Sequence, residues 1–237
     1  MDLAANLERI RRDIAAAAER AGRDPASVEL MAVSKGHPPE TVRAAADLGL
    51  TLFGENKVQE GKAKIPLCPH RLRWHLIGHL QSNKCRDALL FFEVIQGVDS
   101  LALARELNRW AEQLSRRARI LIEVNVAGES SKFGCSPDRL LAEIEEINRL
   151  PRVEILGLMT MAPWTTDAEK TRPVFRRLRE LREEAGQILG APLPQLSMGM
   201  SGDFTVAVEE GSTMVRLGTA LFGPRASAWK PRAAAAP

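Results

Sequence analysis

The chain has 237 residues, enough for one large domain or two small ones, and its 45% hydrophobic and 27% charged composition is that of an ordinary soluble globular protein. With 33 basic and 30 acidic residues the net charge is only +3, and the two signs are interspersed, which argues against a nucleic-acid partner. No apolar stretch approaches the ~20 residues that cross a bilayer, the charged N-terminus lacks the apolar segment of a secretory leader, and three widely spaced cysteines suit free thiols in a reducing cytoplasm.

The first element reads as a helix, with Leu3, Leu7, Ile10 and Ile14 on one stripe and Gly22 as its stop. The apolar run 28–34 then ends at Lys35, because Gly36-His37-Pro38-Pro39 cannot continue a strand. A helix over 40–48 ends at Gly49, and a second run, 50–54, delivers Glu55 and Asn56. The third run, 74–78, contains His75 and leads to His79, and the fourth, 94–98, leads to Asp99. Asp99 or Ser100 caps a helix over 101–114 that repeats Leu103, Leu107 and Leu114. The fifth run, 120–126, carries Asn125, and Ser136-Pro137 opens a helix with Leu140, Leu141, Ile144 and Ile147. After the sixth run, 155–160, a charged helix over 168–185 turns Val174, Phe175, Leu178 and Leu181 inward. Pro173 fits only near its first turn, and Arg176-Arg177-Leu178-Arg179-Glu180 reads as its solvated face. The seventh run, 196–200, meets Ser201-Gly202-Asp203 and a short helix over 204–210. The eighth, 214–218, contains Arg216 and passes through Gly218-Thr219 into a possible short helix.

Strands that are apolar throughout and alternate with helices form a parallel sheet. Eight such units predict an α/β protein built as a single (β/α)₈ TIM barrel with an extra N-terminal helix. Residues 1–225 are expected to make this one domain, and the low-complexity stretch 226–237 a frayed C-terminal tail.

Barrels of this kind place their chemistry at the C-terminal ends of the strands. Lys35 occupies such a position, either as a solvated surface charge or as an amine held at the mouth of the core and competent for Schiff-base chemistry. Ser201-Gly202-Asp203 and Gly218-Thr219 follow strands seven and eight, the usual phosphate cradle, although glycines there also serve merely to make tight turns. With Lys35 taken to lie across the mouth, the set asks for a ligand that carries both an aldehyde and a phosphate, which is pyridoxal 5'-phosphate.

The stretches "AVSKGHP", "LFGENKVQEGKAK", "WHLIGHLQSNK", "EVNVAGESSKFG", "GLMTMAP", "LSMGMSGDF" and "GSTMVRLGTALFG" follow one another over residues 28–225 and resemble the YggS/PROSC family of pyridoxal phosphate homeostasis proteins. That family is similar to the N-terminal barrel domain of bacterial alanine racemase and has no established reaction of its own. The resemblance implies that Lys35 carries the cofactor as a Schiff base and that Ser201, Gly218 and Thr219 bind its phosphate. It further implies that Arg216 faces the pyridine nitrogen and that Asn56 lies beside the ring. Two positions depart from the family pattern. Lys57 stands where a tyrosine usually follows the asparagine, and Gly202 replaces the usual residue before Asp203.

An arginine cannot accept a proton from the ring, so the cofactor is a weaker electron sink than one paired with a carboxylate. Racemisation also needs a second base, a tyrosine from another domain in alanine racemase, and this chain contains no tyrosine. His75 or Cys135 would have to replace it. A class I aldolase and a metal site from His75 and His79 with Cys68 or His70 are weaker alternatives. The expected protein is a cytoplasmic monomer with no catalytic residues, no metal, and no nucleic-acid or membrane partner. It buffers or delivers pyridoxal phosphate, with cofactor-dependent apo-enzymes as recipients, and a weak amino-acid racemase is the alternative.

Overall fold

A computed structural model describes residues 2–129, 132–224 and 229 of the chain. Its strands are β1 (Glu29–Val33), β2 (Leu52–Glu55), β3 (Arg73–Leu76), β4 (Val94–Val98), β5 (Ala118–Glu123), β6 (Val153–Met159), β7 (Gln195–Ser197) and β8 (Met214–Leu217). They are parallel and close into a barrel in chain order, the last joining the first with Met31 opposite Arg216 and Ala32 opposite Leu217. All eight runs expected as strands are strands, and the expected (β/α)₈ barrel is the fold.

Among the described residues the helices are α1 (Leu3–Arg20), α2 (Pro39–Asp47), α3 (Val58–Lys64), α4 (Cys85–Phe91), α5 (Leu101–Gln113), α6 (Pro137–Asn148), α7 (Arg172–Leu189), α8 (Phe204–Glu209) and α9 (Thr219–Phe222). They shield the outer face of the sheet, so both faces of a strand are buried; every residue of β4 is. Inside the barrel, Met31, Val33, Leu52, Ile77 and Met214 fill one side and Val94, Leu121 and Met159 the other.

Helix α1 is the extra element. Asp2 caps it, accepting from the amides of Ala4 and Ala5 at 3.0 and 3.1 Å, and its buried stripe is Leu7, Ile10, Ile14, Ala17 and Ala18. The stripe packs on α8 and α9, where Asn6 also donates to the Leu221 carbonyl at 3.0 Å. Leu3, expected on the stripe, is only partly buried.

Ser100, not Asp99, caps α5 through the Leu103 amide, and Ser136 caps α6 through Arg139. Helix α7 starts later than the sequence suggested, because Ala168–Thr171 forms a 3₁₀ turn and Pro173 falls in the first α-turn, where no amide is needed. Its basic face is not wholly solvated. Arg176 and Arg179 reach the buried carboxylate of Glu210 at 3.0 and 3.6 Å, tying α7 to the end of α8. Two helices escaped the sequence pattern, α3 and α4, each only seven residues long. A Cβ on Gly61 of α3 would lie 2.3 Å from the Phe92 ring, so the apolar residue that would have marked its inner face cannot be there. Of the expected tail, residues 226–228 and 230–237 lie outside the described residues. Trp229 is held, its amide donating to the Gly36 carbonyl at 2.9 Å.

Candidate functional site

Lys35, Asn56, Ser201, Arg216, Gly218 and Thr219 all fall at the C-terminal ends of β1, β2, β7 and β8, one arc of four neighbouring strands. Lys35 therefore stands beside the Gly218-Thr219 turn, not across the mouth from it, because closing the barrel makes the last strand the neighbour of the first. A Cβ on Gly218 would come within 3.4 Å of the Val33 carbonyl oxygen, and the His37 and Phe222 rings lie 4.9 Å apart across the same junction. The loops after β7 and β8 also meet, since Ser201 Oγ accepts from the Ala220 amide of α9 at 3.0 Å. Asp203 shapes the first of these loops, its Oδ1 accepting from the Met200 amide at 2.6 Å.

Asn56 depends on a close backbone approach. A Cβ on Gly78 would sit 2.2 Å from the Asn56 carbonyl oxygen, so only glycine lets the loops after β2 and β3 touch. The two departures from the family pattern are sterically mild. Lys57 is exposed, and a Cβ on Gly202 would meet nothing within 4 Å.

Arg216 points into the barrel and is buried. Its Nη1 donates to Ser197 Oγ at 2.7 Å and its Nη2 to the Thr160 carbonyl at 2.8 Å. Ser197 Oγ donates in turn to Gln96 Oε1 at 2.7 Å, and Gln96 Nε2 lies 2.9 Å from His75 Nδ1. The donors run one way along this chain, so His75 Nδ1 is the acceptor and the ring proton sits on Nε2. Burial, with some repulsion from Arg73, holds the His75 pKa down at about 3, and the ring is neutral. Burial also lowers the Arg216 pKa to about 10 against the pull of Glu123 and Asp203, which leaves the guanidinium charged at neutral pH. Glu123, at the end of β5, is pushed up to about 7 by burial, with Arg216 opposing and Asp99 assisting. Gln96, Ser197 and Glu123 escaped the sequence reading. The available signal was a polar side chain inside an otherwise apolar run.

The other candidate groups are occupied elsewhere. His79 lies 3.3 Å from Asp99 and stacks on the exposed Phe133, ring centroids 4.0 Å apart, while His75 is bound in the core. Among the described residues no three His, Cys, Asp or Glu side chains are grouped to hold a metal ion. Cys68, Cys85 and Cys135 are free and buried; burial raises the Cys68 thiol and pushes Cys85 and Cys135 up to about 12. A cavity of about 690 Å³ opens at the opposite, N-terminal end of the barrel, lined by Arg11, Glu29, Gln195 and Thr213 among others, and takes in none of the expected site residues.

The family model described as alanine racemase, N-terminal domain, matches residues 5–226. The chain belongs to that family. Within it, the chain is 44% identical over 226 residues to the pyridoxal phosphate homeostasis protein of Aquifex aeolicus, covering 95% of this chain and 99% of the relative. Membership of the pyridoxal phosphate homeostasis family, expected from the ordered motifs, therefore holds. The solved structure of the family member PipY of Synechococcus elongatus with PLP bound superposes with a TM-score of 0.83 at 40% identity, covering 94% of this chain and 100% of that one. Alanine racemase of Clostridium difficile shares the fold, with a TM-score of 0.71 at 18% identity, covering 95% of this chain and 57% of the enzyme. No helix among the described residues is long and apolar enough to cross a membrane.

Proposed function

We propose that the chain binds pyridoxal 5'-phosphate at this mouth through a Schiff base on Lys35, and that it holds and hands on the cofactor without turning over amino acids. The juxtaposition of Lys35 with the joined loops after β7 and β8 carries the reading, supported by the PLP-bound structure of PipY at 40% identity. The donor set suits the group. Ser201, Thr219 and the peptide of Gly218 offer small neutral donors to a phosphate, and Arg216 has two of its five N–H groups committed to Ser197 and Thr160, leaving others for a ring nitrogen. Asn56 lines the other flank. When bound, the cofactor would supply an aldehyde to a lysine amine and an electron-poor ring.

The same residues speak against catalysis. Arg216 stays protonated at neutral pH and so cannot leave its proton on the ring, which keeps the ring a poor electron sink. An opposing base is also lacking in the two groups expected to stand in for the racemase tyrosine. His75 has its acceptor Nδ1 taken by Gln96 and, with a pKa held down at about 3, is a weak base, and the Cys135 thiol is buried and protonated. We propose further that the chain is a monomeric cofactor reservoir of the cytoplasm, with pyridoxal phosphate-dependent apo-enzymes as its recipients.

Borohydride treatment of the cofactor-loaded protein followed by peptide mass spectrometry is expected to find the adduct on Lys35. An adduct on another lysine, or none, overturns the assignment. Rapid exchange of alanine α-protons in D₂O, lost in Lys35→Ala, overturns the carrier reading in favour of a racemase.

A further inference from the structure

Helix α3 ends in a lysine that the cofactor contacts do not use. Lys64 is 0% exposed, and its Nζ donates to the Ser34 carbonyl at 2.8 Å, Glu55 Oε1 at 2.7 Å and Glu60 Oε1 at 2.8 Å. An ammonium has three protons, and all three are placed. The two carboxylates reach further. Glu55 Oε1 accepts from Ser34 Oγ at 2.7 Å, and Glu60 Oε1 accepts from the Gly36 amide at 2.6 Å. Trp229 closes the remaining side, with its amide on the Gly36 carbonyl at 2.9 Å and its ring centroid 5.2 Å from Lys64 Nζ.

The Ser34 carbonyl belongs to the peptide that precedes Lys35, and the Gly36 amide to the peptide that follows it. One ion triad thus grips both peptide bonds of the lysine proposed to carry the cofactor. As a stabilising device the triad is a poor choice. Burying an ion pair costs several kcal/mol per ion, burial pushes the Glu55 carboxyl up to about 7 against the pull of Lys64, and well-packed apolar side chains commonly serve stability equally well. Glu55 Oε2 is also left buried without a hydrogen-bond partner. What apolar side chains cannot do is hold a carbonyl and an amide in fixed directions on either side of one residue.

We propose that Lys64, with Glu55 and Glu60, is a positioning group for Lys35, fixing its backbone so that its side chain is aimed at the bound aldehyde; this rests on the reading that Lys35 forms the covalent link. None of the three is among the residues proposed to hold the ring or the phosphate. It should govern the link to the lysine and leave the rest of cofactor binding alone.

The test compares two ligands on the full chain: pyridoxal 5'-phosphate, and 4'-deoxypyridoxine 5'-phosphate, which has a methyl group in place of the aldehyde. Lys64→Met and Glu60→Ala are expected to lower the borohydride-trapped fraction at Lys35, at subsaturating pyridoxal phosphate, by about tenfold, the worth of one charge-assisted hydrogen bond. Affinity for the aldehyde-free analogue should change by less than about threefold, well under one hydrogen bond. Glu60→Gln keeps an acceptor for the Gly36 amide and should restore most of the trapping. Should Lys64→Met fail to fold, the outermost member of the triad still carries the test, since the Glu60 side chain retains 14% exposure and its variants perturb the core least. Parallel losses for both ligands, or unchanged trapping in the variants, overturn the proposal. A wild-type chain that binds the analogue yet traps nothing at Lys35 fails instead on the assignment of the link, and that outcome is visible before any variant is made.

Discussion

Ser197→Ala removes one hydroxyl that serves two partners. It accepts from Arg216 Nη1 at 2.7 Å and donates to Gln96 Oε1 at 2.7 Å, with no exposure to solvent. A hydrogen bond to a charged group is worth about 1.5–3 kcal/mol, and a buried acceptor left bare costs about 1–3 kcal/mol more. Arg216 keeps the Thr160 carbonyl and can lean toward Glu123, so part of that sum is recovered and a loss of about 3 kcal/mol is expected. For a domain of this size that corresponds to a fall of about 6–12 °C in Tm. Thermal and urea unfolding of the cofactor-free protein measure it, with the slope of the urea transition confirming that the folded and unfolded states are otherwise unchanged. Pyridoxal phosphate affinity should fall as well, because the guanidinium loses one of its two anchors. Ser197→Thr, which retains the hydroxyl, should lie between the two. A loss below about 0.5 kcal/mol in Ser197→Ala, no more than a surface substitution usually gives, would show that Arg216 is oriented without Ser197 and that the relay to His75 is incidental.

Ser201→Ala and Thr219→Ala should each weaken pyridoxal phosphate binding by about ten- to hundredfold, and pyridoxal without its phosphate should bind far more weakly than the phosphorylated form. Equal affinity for the two ligands in a fluorescence titration would refute the cradle. Gly78→Ala places a methyl group 2.2 Å from the Asn56 carbonyl oxygen, so the loop after β2 must move. It should cost about 1–3 kcal/mol in unfolding experiments and weaken the cofactor, and an unchanged melt with unchanged affinity would refute the contact. Glu123 and Glu55 are both raised by burial to about 7, and Glu123, which faces Arg216, gives the cleaner test. Its folded pKa of about 7 lies above the unfolded value, so its contribution is fully present below about pH 4.5 and is lost as the pH rises to about 7. Glu123→Gln, which mimics the protonated form, should therefore gain on the wild type by up to ~3 kcal/mol between about pH 5 and pH 8; an identical difference in urea midpoint at both pH values would show that Glu123 titrates normally.

The strands were legible because a parallel sheet covered on both faces leaves nearly unbroken apolar runs, and the mouth residues were legible because each lies late in such a run or just after it. What the sequence concealed is of two kinds. Helices α3 and α4 span about two turns apiece, too few for an apolar period to emerge, and α3 gives up its inward side chain at Gly61 to make room for Phe92. The second kind is direction. Gln96 and Ser197 look like any polar residue in a strand until the register turns them into the barrel, and Lys64 looks like any lysine in "EGKAK" until Ser34, Glu55 and Glu60 are found around its Nζ. The place of Lys35 relative to Gly218 was misjudged for a simpler reason. Residues 183 positions apart become neighbours only when the barrel closes.

The burial of all three cysteines has a consequence for a chain whose proposed cargo is an aldehyde. Thiolates attack aldehydes as amines do, and they are also the form that peroxide oxidises. Burial pushes the Cys85 and Cys135 thiols up to about 12 and raises Cys68, so at neutral pH little thiolate is on hand to compete with the lysine amine for the aldehyde. With every cysteine buried, the chain also presents no exposed thiol through which oxidation could cross-link it.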